Sequence, residues 1–261
     1  MEQIEIEEKK YLTSVLEKIN FNEELFHIID NHSDIELIPL NSNHLPQKIK
    51  NSTTYRVLND SLVDLDWKIK KSLYKAIDLA YDEELCNNIF KSLFFTDDND
   101  RELYYYIENA LFRTVTAWDL LAQIYVRYYG INKCKEIKIN KSIYKVNYNS
   151  IFTYEYKKDD INNIELYDDF IEEVNKIKMY LNGDENNKEK TDHQQLKNIR
   201  NQMTHRNSPS ISSVGDFERE DDNFKLDFSM PKRLIIKLIV DDYYQVFKYI
   251  DFIFKKIESE L

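Results

Sequence analysis

Apolar residues recur three and four positions apart over most of this chain, the spacing that lines up one face of an α-helix. From Asn59 to Phe95, Leu62, Leu65, Ile69, Leu73, Ala76 and Ala80 keep that period, and Leu85, Ile89 and Leu93 resume it after a break near Tyr81. Thr96-Asp97-Asp98-Asn99-Asp100 interrupts the pattern and offers caps for a second long helix, Arg101 to Tyr129. Its stripe is Tyr104, Ile107, Leu111, Thr114, Trp118, Leu121, Tyr125 and Tyr128, so these aromatic rings read as core and not as a platform for stacking bases. Gly130 ends that helix. Between residues 131 and 157 the spacing of Ile137, Ile139, Ile143, Val146, Tyr148 and Tyr154 loosens to two, which predicts a short β-hairpin or an ordered basic loop. Helical spacing returns from Ile161 to Leu181 and is broken by Asn182-Gly183-Asp184. The last helix starts near Ser229 and Pro231 and carries Ile236, Ile239, Tyr243, Val246, Ile250, Ile253 and Ile257 without a miss. A seam so regular requires a partner helix, within the bundle or across a dimer.

Ahead of these elements, residues 1 to 30 predict one or two short amphipathic helices through Leu12, Val15, Leu16, Ile19, Leu25, Phe26 and Ile29, and residues 31 to 52 read as a linker with Pro39 and Pro46. The expected organisation is a helical extension and linker over 1–52 and a helical domain over 53–261. Composition agrees with an all-α class. Three glycines and four prolines in 261 residues leave few tight turns for a β-sandwich or a Rossmann-type sheet, and 42% hydrophobic residues suffice for a sizeable core. The amino terminus, MEQIEIEEKK, is too charged for a signal peptide and no apolar run approaches the roughly 18 residues of a membrane span, so a cytoplasmic protein is expected. Cys86 and Cys134 stand apart without metal-ligand spacing and the five histidines are dispersed, so neither metal nor cofactor is expected.

The chemistry of the chain concentrates in Thr191 to Pro209, TDHQQLKNIRNQMTHRNSP. Asp192 or Thr191 caps a helix whose apolar positions are Leu196, Ile199 and Met203, and Pro209 ends it. Asn201 and His205, four apart, share a face, whereas Arg200 and His205 diverge by about 140° and only the long arginine stem closes the gap. A guanidinium suits a phosphate, and an imidazole exchanges protons near neutrality. The same residues also fit a plain helix C-terminus, where Arg200 and Arg206 offset the dipole and His205 is a polar cap.

Arg200-Asn201-Gln202-Met203-Thr204-His205 resembles the R-x4-H signature of HEPN domains, small α-helical bundles that occur in higher eukaryotes and prokaryotes and include many metal-independent ribonucleases. In that family the residue after the arginine is commonly Asn, Asp or His, which Asn201 satisfies. The resemblance implies an HEPN-like bundle and a catalytic set of Arg200, His205 and Asn201. It also implies a helper on the neighbouring helix, for which Asp119 is the candidate beside the reading of a plain surface carboxylate, and Thr204 supplies a nearby hydroxyl. It further implies a homodimer with a composite active site, an RNA substrate, and a toxin or antiviral defence setting with an antitoxin or regulatory protein as a further partner. One departure is that toxins of this family silenced by a nucleotidyltransferase carry a tyrosine two residues after the histidine, where this chain has Asn207.

A net charge of −11 sits awkwardly with RNA, so its distribution matters. Lys133, Lys135, Lys138, Lys141 and Lys145, with Arg206, form the candidate RNA-binding set, whereas residues 216 to 227 are strongly acidic. Two other readings stand beside the ribonuclease: a non-catalytic HEPN-like module that binds a nucleotide, RNA or a protein, and a purely structural oligomerising bundle.

Overall fold

The structure is a computed structural model that describes residues 3–26, 47–82, 98–132, 146–183, 190–205 and 231–260; for residues 47–52, 202, 204 and 205 it describes the backbone alone. Among these residues the chain is 84% helical with no strand, which makes the fold all-α. The α-helices are α1 (Gln3–Lys18), α2 (Gln47–Ala80), α3 (Asp98–Tyr129), α4 (Tyr148–Phe152), α5 (Tyr167–Asn182), α6 (Asp192–His205) and α7 (Lys232–Glu260). None of them is long and apolar enough to cross a membrane.

The predicted stripes are the buried ones. Along α7, Ile236, Ile239, Tyr243, Val246, Ile250, Ile253 and Ile257 are all buried, and along α3 only Tyr128 of the predicted row is less than fully enclosed. At roughly 1.5–3 kcal/mol for each large apolar side chain removed from water, these rows dominate the stabilisation of the fold.

The chain divides into two compact units, each drawn from three separate stretches of the sequence. The first comprises Met1–Ile19, Lys68–Thr116 and Lys176–Gln245, the second Asn20–Trp67, Ala117–Asn175 and Val246–Leu261. In the first unit α1 inserts Leu12 and Leu16, both with no exposed surface, so its apolar stripe belongs to that unit's core. Arg233 fastens the same unit: its Nε donates to the Ala80 carbonyl at the end of α2 (2.9 Å), its Nη1 to Glu5 of α1 (2.6 Å), and its guanidinium lies 4.4 Å from the centre of the Tyr81 ring.

The second unit is built on aromatic packing. Phe152 meets Tyr125 edge-on at 5.3 Å, Phe170 lies 4.8 Å from Tyr129, and Phe254 lies 5.2 Å from Phe26. A buried polar network crosses this core: the Tyr125 hydroxyl donates to Glu173 (2.9 Å), and Lys256 donates to Glu173 (3.0 Å) and to the Tyr129 hydroxyl (3.1 Å).

The segment from 131 to 157, for which the spacing predicts a short β-hairpin or an ordered basic loop, is described only in part. Residues 133–145, with Ile137, Ile139 and Ile143, lie outside the described residues, and the rest contains the short helix α4. Two caps explain that helix: Asn147 accepts from the Ser150 N–H at 2.8 Å and Asp119 accepts from the Tyr148 N–H at 2.9 Å, satisfying donors at its first turn. The β pairing present is an isolated antiparallel bridge, Ile131 to Ile161. Gly130 makes it possible with φ of +63°, because an added Cβ would come within 2.9 Å of the Asn162 amide.

Helix α6 is held at its start by a reciprocal capping box. The Gln194 N–H donates to the Thr191 hydroxyl and the Thr191 N–H to the Gln194 side chain, both at 3.1 Å. We predict that Thr191→Ala lowers the unfolding free energy by about 1 kcal/mol; urea denaturation that leaves the midpoint unchanged would show the box to be idle.

Candidate functional site

The hexapeptide Arg200 to His205 forms the end of α6, and the anchoring of that helix sets where it lies within the first unit. Thr191 does double duty: its hydroxyl, while accepting from Gln194, donates to the Leu181 carbonyl of α5 at 3.1 Å. The Gln194 amide donates to the Asn182 carbonyl at 2.8 Å. Two of the last carbonyls of α5, which have no partner inside their own helix, thus become sockets for the start of α6. Gly183, with φ of +77°, turns the chain out of α5 and donates its N–H to the Met179 carbonyl at 2.8 Å.

In the first turn of α6 lies a feature that the spacing of the sequence does not reveal. His193 is 3% exposed and its Nδ1 lies 3.0 Å from Oδ1 of Asp242 in α7, itself 2% exposed. The Tyr180 hydroxyl of α5 donates to the same oxygen at 3.0 Å. With the carboxylate ionised, Nδ1 carries the proton and donates to it. Burial, and then the adjacent Asp242 carboxylate, push the Tyr180 phenol far above its ordinary range, so it remains a donor. The trio ties α5, α6 and α7 together through one buried oxygen. In the sequence His193 and Asp242 are separated by 49 positions, and no spacing rule connects them; the signal available was a histidine on the apolar side of α6, three residues before Leu196.

Beyond this anchor, Leu196 and Ile199 are buried while Asn198 and Asn201 face solvent. Arg200 is half-buried and its Nη2 donates to the Asn201 side-chain oxygen at 3.3 Å, so these two predicted site residues are in contact. Positions 201 and 205 belong to one continuous helix, one turn apart. Of Thr204 and His205 the backbone alone is described, and Arg206 lies outside the described residues, as do Lys133, Lys135, Lys138, Lys141 and Lys145. Asp119 belongs to the second unit, where its carboxylate caps α4. Among the described residues no group of three or more His, Cys, Asp or Glu is placed to hold a metal ion.

Removing the shared acceptor should be costly. Asp242→Ala takes this partner from a buried phenol and a buried imidazole, and the expected loss is about 3 kcal/mol or more, measured by urea denaturation. Asp242→Asn keeps a carbonyl oxygen for both donors and should recover part of that loss; equal stability of the alanine variant and the native chain would remove the trio from the account of how α6 is held.

Compared with known protein families, with curated proteins and with solved structures, the chain finds no match in any of the three.

Proposed function

We propose that this chain is a metal-independent endoribonuclease of HEPN type. The observation that carries the reading is the hexapeptide Arg200-Asn201-Gln202-Met203-Thr204-His205 on a single helix of an all-α chain, with Arg200 already touching Asn201. In this mechanism His205 takes the proton of a ribose 2′-hydroxyl, or delivers one to the leaving 5′-oxygen, and Arg200 stabilises the charge of the pentacoordinate phosphate. Asn201 holds a phosphate oxygen or the imidazole. The products are a 2′,3′-cyclic phosphate and a 5′-hydroxyl. Thr204 is the proposed helper, and the lysines from 133 to 145 with Arg206 are proposed to contact the RNA backbone, offsetting locally a net charge of −11. A toxin or antiviral defence role in the cytoplasm, restrained by an antitoxin or another protein, completes the proposal.

Incubation of the purified chain with mixed RNA in EDTA tests it. Cleavage is expected, and Arg200→Ala and His205→Ala should each lower its rate by about 10²-fold or more, with losses that do not add because both groups act on one phosphate. A mobility shift without cleavage would leave a binding module instead, and neither would leave a structural bundle.

A single histidine serves poorly where one proton must be removed and another delivered, so we also propose a two-fold homodimer in which the α6 ends of two copies share one cleft. The apolar rows of α3 and α7 are consumed by the chain's own core, which directs that contact to other surfaces. The solvent-facing side of α6, with Asn198 and Asn201, is where the composite site would require it. Light scattering should give about twice the 31.5 kDa of the chain, and excess Arg200→Ala protein should poison the native enzyme through mixed dimers. Full activity in a monomer diluted far below any dimer dissociation constant would refute the shared cleft.

A further inference from the structure

The second unit contains a cavity that the hexapeptide does not use. It measures about 330 Å³, near the lower bound for small-molecule sites, and Thr54, Tyr55, Arg127, Tyr128, Asn163 and Glu260 contribute to its wall. Its polar groups are unevenly matched. Glu260 is the wall's carboxylate and already accepts from the Tyr128 hydroxyl. Three donors, by contrast, have no hydrogen bond or ion pair among the described residues: the Arg127 guanidinium, the Tyr55 phenol and the Asn163 side-chain amide.

Tyr55 is the telling one. It is 7% exposed, its ring packs against Phe26 at 5.7 Å, and yet its hydroxyl opens on the cavity without a partner. The hydroxyl reaches solvent through the cavity, so it is open to donate to a ligand oxygen placed there. Burial pushes this phenol up to about 12, with Arg127 opposing the shift and Glu260 adding to it, so at neutral pH it is a donor. The cavity thus presents a full positive charge and several N–H and O–H donors to its contents.

We infer that this cavity is a binding site for a small phosphate ester with hydroxyl groups on its remainder, such as a sugar phosphate. A phosphate suits it better than a carboxylate because three terminal oxygens can meet the planar fork of Arg127, the Tyr55 hydroxyl and the Asn163 amide together, whereas a carboxylate has two. The hydroxyl-bearing remainder faces Glu260, whose second oxygen accepts from it. The size of the cavity fits a single small molecule and not a length of polymer.

Isothermal titration of the full chain with ribose 5-phosphate, ribose, inorganic phosphate and a 5′-phosphorylated RNA trinucleotide tests the assignment. Ribose 5-phosphate should bind, ribose should bind at least tenfold more weakly or not at all, and inorganic phosphate should fall between them. Tyr55→Phe, which preserves the ring and its packing, and Arg127→Gln, at an exposed position, should each weaken ribose 5-phosphate binding about tenfold or more. Arg200→Ala should leave that affinity unchanged, which separates this site from the proposed ribonuclease site. The assignment is overturned by no binding at millimolar concentration, by binding indifferent to both wall substitutions, by inorganic phosphate binding as tightly as the ester, or by the trinucleotide binding more tightly than the sugar phosphate.

Discussion

The constraint on which the structure rests is the unbroken three-and-four apolar seam of α7. Every one of its seven seam residues is buried, and they divide between the two units: Ile236, Ile239 and Tyr243 serve the first, Val246, Ile250, Ile253 and Ile257 the second. A helix committed to cores along its whole length has little freedom to slide, since a shift of one residue would rotate the seam by about 100° and expose it. The polar groups that α7 contributes are placed by that commitment. Arg233 reaches the end of α2, Asp242 receives His193 and Tyr180, and Lys256 reaches Glu173. Each is a polar contact made inside a frame that burial has already set.

Much of that frame was legible in the sequence. The seams of α3 and α7 name the core residues because a helix repeats its geometry every turn, and a side chain's burial then follows from its position in the row. The start of α6 was legible for the same local reason: Thr191 and Gln194 are three apart, the spacing of a capping box. Where local spacing was ambiguous, tertiary contacts decided. Val146, Tyr148 and Tyr154 alternate like a strand, yet Asn147 and Asp119 supply acceptors that turn Tyr148–Phe152 into a helix, and Asp119 lies 29 residues away. Likewise the stripe of α1 could not announce whether it would lie on the surface or join a core; Leu12 and Leu16 join one.

The candidate site divides along the same line. Arg200 and Asn201 are neighbours in sequence and in contact, so their association is a local property of the helix. The His193–Asp242 pair spans 49 residues and depends on how α5, α6 and α7 pack, which no periodicity encodes. The wall of the cavity in the second unit is similarly dispersed, drawing Tyr55, Arg127, Asn163 and Glu260 from four separate stretches of chain. The resemblance of the hexapeptide to HEPN domains supplies a chemistry for α6 that geometry alone leaves open, and the ribonuclease reading rests on it.

The anchoring of α6 separates two roles along one short helix. Its first turn is fixed by Thr191, His193 and Gln194, and its buried apolar residues end at Ile199, one position before the arginine of the hexapeptide. Folding is therefore secured upstream of the residues assigned to chemistry. A lineage carrying this chain could exchange Asn201, an exposed residue, and so alter the proposed activity, while the contacts that seat the start of the helix stay in place.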